Sequence, residues 1–554
     1  MLLAARWHAR RSLDRFLNAA RHAVATQQRV LLDKVRRNAA SGFGDDHGFQ
    51  HIHSYEDFVC RVPVCRYEDL EPYVERVKAG DIRALFGPRQ HVLMFAKTSG
   101  TTDRPKYIPV TRRFLDEYRA GWNAFGVKAL LDHPGSMLRN ILQVSSPMDE
   151  ERSAAGIPCG AITGLMAATQ KRLVRKYYVT PRSTAYIADA EARYYTVMRC
   201  AIPRDVVFMV TASPATQLRL ARTAEQHADR LIRDVADGTL SSSFELPPAI
   251  RADIEARLRP DRQAAARLER IASSTGRFRP QDYWRLGFLA NWTGGTMGLY
   301  LGDFQEFFGD TPVRDIGLLA SEGRMSIPIE DGTPAGILDV ASNFYEFIPA
   351  DEYESESPTV LRGHELTVGA EYFILLTTSA GFYRYDIGDR VRVTGFYGEA
   401  PLIEFLHKGV HTSSLTGEKL TERQVVLAFE RAAKTARTRR QNFVLAPQWG
   451  DPPHYRLHLE GEASEMACPA ALAEEFERQL QQINIEYASK RTSERLGPVE
   501  LNLLPPGWLT GHDRECAELR GRANEQYKHR YLYSALEEDA AFPRMPAPGV
   551  GATG

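Results

Sequence analysis

The sequence predicts an α/β protein in two parts: a large N-terminal domain of sheets layered with helices, and a small α+β domain toward the C-terminus. Three observations carry this. The run RDVVFMVTASP at 204–214 reads as a buried strand followed by a helix starting near Pro214, and strand-then-helix alternation marks an α/β sheet. Strand-like segments return at 286–290, 336–339, 345–349 and 372–378, and 390–396 alternates as a half-buried strand. Past a polar, glycine-containing stretch at 405–418 come a helix at 422–435, strands at 441–447 and 454–460, and a helix at 470–487, together a unit of ordinary domain size.

The elements run in this order. Residues 1–40 read as helices, and the opening MLLAARWHARRSLDRF is basic and amphipathic, with Leu13, Phe16, Leu17, Ala20 and Val24 on one face. Arginine interrupts it too early for a secretory signal. A targeting or membrane-surface helix is one reading; the one expected is a helix laid on the domain surface with its arginines in water. Ser54 is the expected N-cap of the next helix, with Asp57 completing a capping box. An apolar strand at 91–96 leads into the loop TSGTTDRPK (98–106) and a second apolar piece at 107–110. Residues 218–275 are helical in period and rich in charge, an outer helical layer. The expected division is 1–404 for the large domain, 405–418 for a hinge, 419–539 for the small domain and 540–554 for a disordered Pro/Gly/Ala-rich tail.

Composition narrows the partners. The chain of 554 residues is longer than one core usually organises. Lys plus Arg and Asp plus Glu both number 70, so the basic excess of a nucleic-acid binder is missing, which argues against nucleic acid as a partner. The six cysteines include no CxxC pair and form no disulfide framework, which points to a reducing cytoplasm. No stretch approaches the roughly 18 apolar residues of a membrane span.

The loop Thr98, Ser99, Gly100, Thr101, Thr102 places four hydroxyls and a glycine in five residues, with Lys106 close behind. Backbone N–H groups and hydroxyls donate to phosphate, the glycine allows close approach, and the lysine brings a mobile cation. A polar surface turn is the competing reading, and the Walker A pattern is absent. The loop resembles the phosphate signature [ST]SG[ST]TGxPK of adenylate-forming ligases, except that Asp103 stands where glycine is usual.

Longer stretches are similar to the GH3 family of acyl-acid amido synthetases, in its bacterial-type form. They are LLDKVRRNAASGFGDDHGF, SYEDFVCRVPVCRYEDLEPYVERVKAGD and the loop followed by YIPVT. LLASEGRMSIP (318–328) resembles the family's YxxSEG, with Leu318 in place of tyrosine, and GFYRYDIGDRVRVTGF (381–396) resembles YRxGDxxxVxGF. GEKLTE (417–422) and NEQYKHR (524–530) echo EKxxE and NQYKxPR, so the resemblance runs in order from about residue 27 to 532.

The resemblance implies an adenylate-forming fold and a ligase that uses ATP and magnesium. Such an enzyme joins a carboxylic acid to the α-phosphate, releases pyrophosphate, and passes the acyl group to an amine, usually of an amino acid. Glu322 is then the magnesium ligand, direct or through water, and a catalytic residue; Ala320 and Ser321 border adenine and α-phosphate. Asp389 is suited to the ribose hydroxyls, the alternative being a turn carboxylate paired with Arg390 or Arg392. Gly295 and Thr296, in WTGGT, form a second wall of the nucleotide pocket, or a plain turn. Lys528 is the lysine expected to reach the α-phosphate and carboxylate, against the reading of a solvated lysine among arginines; Lys408 stands near the hinge where the family often has arginine. Gly156 and Gly160 are candidates for the acceptor loop. Tyr118 and Trp122, with Phe114 and Phe125, are candidates for the acid pocket, although their spacing also fits an ordinary core-facing helix. Two other functions share these features: an acyl-CoA or carrier-protein ligase, and a non-catalytic acyl-nucleotide-binding protein.

Overall fold

The computed structural model describes residues 2–98, 105–170, 172–409, 412–436, 442–461, 469–509, 511–512, 515 and 530–544. They divide into a larger unit within residues 1–406 and a smaller one from His407 onward, a boundary inside the stretch expected as a hinge.

Three sheets organise the larger unit. The first follows the order Lys106–Thr111, Val92–Thr98, Pro158–Gly160, Glu151–Arg152. The second is the α/β sheet foreseen from the 204–214 run: Asn140–Gln143, Val206–Val210, Phe288–Asn291 and Val313–Asp315, every pair parallel. Pro214 opens the next helix, Pro214–Gln226, as the sequence predicted, because a missing N–H is harmless in the first turn. That helix, with Ala190–Ala201, Ala228–Asp237 and Arg262–Thr275, covers one core of the unit. The third sheet has seven strands in the order Ser326–Ile327, Gly336–Leu338, Ala400–Lys408, Tyr385–Tyr397, Glu371–Thr377, Phe344–Pro349, Leu361–Arg362.

The N-terminal helices Leu2–Arg21 and Ala23–Arg37 lie on this unit with Leu13, Phe16 and Ala20 buried in its main core. Val24 leaves that face because the helix is interrupted at His22, and it is exposed. Ser54 and Asp57 form the expected capping box. Between these helices and the sheets runs Arg112–Asp132, capped by Thr111, whose buried face includes Phe114, Tyr118, Gly121 and Phe125.

The smaller unit packs helices Glu422–Thr435 and Pro469–Ile483 on a sheet of Phe443–Gln448, His454–Glu460 and Glu500–Leu504. The helix expected over 470–487 is two: Asn484 breaks it and caps the second, Ile485–Thr492, by accepting from the Tyr487 N–H at 2.9 Å. The strand Ala400–Lys408 extends into the expected hinge. The tail expected from 540 starts with ordered chain, a 3-10 turn at Leu536–Ala541 and a buried Phe542. No helix among the described residues is long and apolar enough to cross a membrane.

Candidate active site

The strands Val92–Thr98 and Lys106–Thr111 pair antiparallel, and Thr98 lies opposite Lys106. Their connection includes Ser99, Gly100, Thr101 and Thr102, which lie outside the described residues. At its base the Lys106 ammonium is 3.4 Å from the Tyr385 hydroxyl and 5.2 Å from the centre of the Tyr67 ring. Tyr67 is itself fixed, accepting from the Tyr107 N–H at 2.8 Å. Two phenols therefore seat the lysine by charge–quadrupole and hydrogen-bond contacts.

Glu322 belongs to the same neighbourhood. Leu319–Ala320 pairs with Gly323–Arg324, Ala320 opposite Gly323, so Ser321 and Glu322 are the two turn residues of a short hairpin. A turn carboxylate is usually solvated, yet Glu322 is only 5% exposed. Its charge contributes, after burial, to holding the hydroxyls of Tyr67, Tyr118 and Tyr385 above the ordinary phenol range. Those phenols come from helix Tyr67–Lys78, helix Arg112–Asp132 and strand Tyr385–Tyr397, so the charge of one carboxylate is felt by side chains of three elements. Among the described residues no hydrogen bond reaches it.

Strands this short need outside support. The Arg324 carbonyl accepts from the Tyr345 hydroxyl at 2.7 Å and the Asn343 amide at 3.2 Å, and the Leu318 N–H donates to Ser326 Oγ at 2.9 Å. The Arg324 guanidinium passes beneath helix Arg112–Asp132, donating to the Ile316 carbonyl and lying 4.7 Å from the Trp122 ring. Burial lowers its pKa to about 10. Gly121 makes room for it: a Cβ there would stand 2.4 Å from Arg324 Cδ. We expect Gly121→Ala to lower stability by about 1 kcal/mol, because overpacking of ~1–3 kcal/mol outweighs the helix-propensity gain of ~1 kcal/mol; urea titration checks it.

The glycine wall follows strand Phe288–Asn291. Gly295 has φ +58°, and a Cβ there would lie 2.6 Å from the Leu406 carbonyl oxygen, so a side chain is excluded on both counts. Thr296 continues into the 3-10 turn Gly295–Tyr300. The buried carboxylate of Asp315 accepts from Thr293 and from the Gly317 N–H. Burial raises its pKa from 3.8 to about 6 against the pull of those donors. The folded chain thus holds a proton that the unfolded chain releases between about pH 4 and 6, and this contribution to stability is lost as pH rises through that window. Accordingly, the Tm of Asp315→Asn relative to the parent is expected to rise from about pH 5 to about pH 7.5, read by thermal unfolding.

Asp389 lies inside strand Tyr385–Tyr397. There Gly388 adopts φ +74° and the pairing shifts, Phe373 facing Arg390 but Leu375 facing Asp386. The carboxylate is 5% exposed, while Arg390 and Arg392 form ion pairs with Glu371 at 2.6 and 2.8 Å. Lys408 closes strand Ala400–Lys408 and falls in the smaller unit. Tyr118 is buried and stacks on Phe114, as the core-facing reading had it, and Trp122 is half-buried under Arg324. Gly156, φ +76°, turns between two short strands; Gly160 packs where a Cβ would meet Met148 backbone at 2.6 Å. Lys528 lies outside the described residues. Tyr67, Tyr385, Asp315 and Arg324 were not singled out from the sequence: the two tyrosines meet Lys106 across long stretches of chain, and Asp315 and Arg324 act on backbone groups, which carry no sequence signature.

Three family models match in succession: the GH3 family N-terminal domain over residues 12–313, the central domain over 336–408 and the C-terminal domain over 423–536. The chain belongs to the GH3 family. Its relatives include jasmonoyl–L-amino acid synthetase JAR4 of Nicotiana attenuata, 25% identical over 521 residues, covering 89% of each chain. The probable indole-3-acetic acid-amido synthetase GH3.2 of Oryza sativa subsp. japonica is 26% identical, covering 91% of this chain and 87% of its own. The fold is that of the solved GH3.15 acyl acid amido synthetase, with a TM-score of 0.64, 20% identity, and coverage of 94% of this chain and 93% of that one. In this GH3 chain the Glu322 hairpin falls between the N-terminal and central matches, and the central match ends with the strand at Lys408.

Proposed function

We propose that this GH3-family protein is an ATP-dependent acyl-acid amido synthetase acting on a small carboxylic acid and an amino acid. One carboxylate oxygen of the acid attacks the α-phosphorus of ATP and pyrophosphate leaves. The amine then attacks the acyl carbon, loses a proton, and AMP departs with the amide formed. The observation that carries this is a chain matched along its length by the family's three domains, in which Lys106 reaches the Tyr385 hydroxyl and the buried Glu322 lies near enough for its charge to act on the same phenol.

In this reading Thr98, Ser99, Gly100, Thr101, Thr102 and Lys106 receive the polyphosphate. Gly295, Thr296, Ala320 and Ser321 flank the nucleotide, and Asp389 accepts from ribose. Lys408 lies near the joint between the units, and Lys528 neutralises the charge shared by phosphate and carboxylate. Gly156 and Gly160 border the acceptor, Tyr118 and Trp122 the acid. The residues fit magnesium: Glu322 offers a buried oxygen donor that no hydrogen bond reaches among the described residues, and Mg²⁺ is commonly held by one or two carboxylates plus substrate phosphates. When bound there it would offset phosphate charge. The relatives' names favour amino acids as acceptors, and the cysteine content favours a reducing, cytoplasmic setting; the bacterial-type form finds no support in these relatives, which are plant proteins.

The test is pyrophosphate release with ATP, magnesium and a panel of acids including indole-3-acetate and benzoate, followed by addition of amino acids or CoA and mass analysis of products. AMP and an N-acyl amino acid are expected. A thioester product, or no pyrophosphate with any acid, would contradict the proposal.

A further inference from the structure

We propose that Asp315 is a positioning residue of the adenylation site, a clamp that joins the glycine wall at 293–295 to the segment entering the Glu322 hairpin. This rests on the reading of the site given above. Asp315 ends strand Val313–Asp315 directly opposite Asn291, at the carboxyl edge of the all-parallel sheet, where open α/β sheets place their ligands. One carboxylate oxygen accepts from the Thr293 N–H and, at 2.8 Å, from its hydroxyl; the other accepts from the Gly317 N–H at 2.6 Å. The Gly294 N–H reaches the same group, so donors from both sides of the site meet on one side chain that is 3% exposed. Trp292 Nε1 closes the span from the other direction, donating to the Gly317 carbonyl at 3.0 Å.

The two segments so tied carry different parts of the candidate site. One leads to Gly295 and Thr296, the other through Leu318 to Ala320, Ser321 and Glu322. A Gly-Gly loop has high backbone freedom, and holding it before the nucleotide arrives removes that ordering cost from binding. For fold alone the choice is unfavourable: burial pushes the Asp315 carboxyl up to about 6, and a neutral side chain would avoid that desolvation. Arg324, close enough to feel the Asp315 charge, donates from its guanidinium to the Ile316 carbonyl and so fixes the next residue of the same segment.

The experiment compares the full-length protein with Asp315→Asn, which keeps the volume and one acceptor but turns an N–H donor toward an N–H donor. With acid saturating, KM for ATP is expected to rise about tenfold while kcat falls less than threefold and KM for the acid stays unchanged. Thr293→Val removes only the hydroxyl contact and is expected to raise KM for ATP about twofold. A folded Asp315→Asn with the parent KM for ATP overturns the proposal, as does an equal loss in every kinetic constant. If Asp315→Asn does not fold, Thr293→Val decides: a selective rise supports the clamp and no change overturns it. Glu322→Gln is assayed beside them. Pyrophosphate release that survives it removes the adenylation site itself, whereas a dead Glu322→Gln with a normal Asp315→Asn removes only the clamp.

Discussion

Lys528→Ala is expected to reduce pyrophosphate release by about 10³-fold or more while ATP affinity changes less than about threefold. Adenylation brings a carboxylate against the α-phosphate, and both are anions. A cation acting at the transferring centre is needed only as the bond forms, so its loss appears in kcat and not in ground-state binding of ATP. The sequence NEQYKHR at 524–530 carries this expectation, and Arg530, two residues on, is taken up by Glu538 at 2.9 Å. Pre-steady-state release with saturating acid, beside equilibrium binding of ATP, separates the two effects. Turnover within threefold of the parent would remove Lys528 from the mechanism.

Glu322→Gln is expected to lower kcat/KM for pyrophosphate release by about 10²–10³-fold, most steeply at low magnesium. The substitution keeps size and hairpin geometry but removes the charge that a hard cation requires. It also replaces a buried carboxylate, reached by no hydrogen bond among the described residues, with a neutral amide, so folding stability is expected to hold or increase. Activity that falls together with the folded fraction would instead mark Glu322 as a structural residue. Titration of rate against magnesium, with thermal unfolding in parallel, tells the two apart.

Long apolar runs were readable because burial on both faces leaves little room for other residues: 204–214 gave the strand Val206–Val210 and the helix opened by Pro214. Ser54 and Asp57 were readable because a capping box is a local hydrogen-bond pattern. Asn484 was missed because apolar periodicity continues across it while the cap depends on one side chain, and Glu500–Leu504 because its pairing partner, His454–Glu460, lies 44 positions back with two helices between. The site motifs were visible as text, yet their geometry was not. Two-residue strands carry no periodicity, so nothing in SEG announced a hairpin with a buried tip. Lys106 and Tyr385 are separated by 279 positions, and Asp315 finds its partners among backbone N–H groups, which have no sequence signature.

Isotope transfer measures the central claim most directly. The enzyme is incubated with ATP, magnesium, an amino acid and indole-3-acetate or benzoate labelled with ¹⁸O in the carboxylate, and AMP is weighed by mass spectrometry. Formation of an acyl adenylate places one labelled oxygen in each AMP released when the amine attacks the acyl carbon. AMP heavier by one ¹⁸O is the predicted result; AMP carrying no label, while amide accumulates, would contradict it.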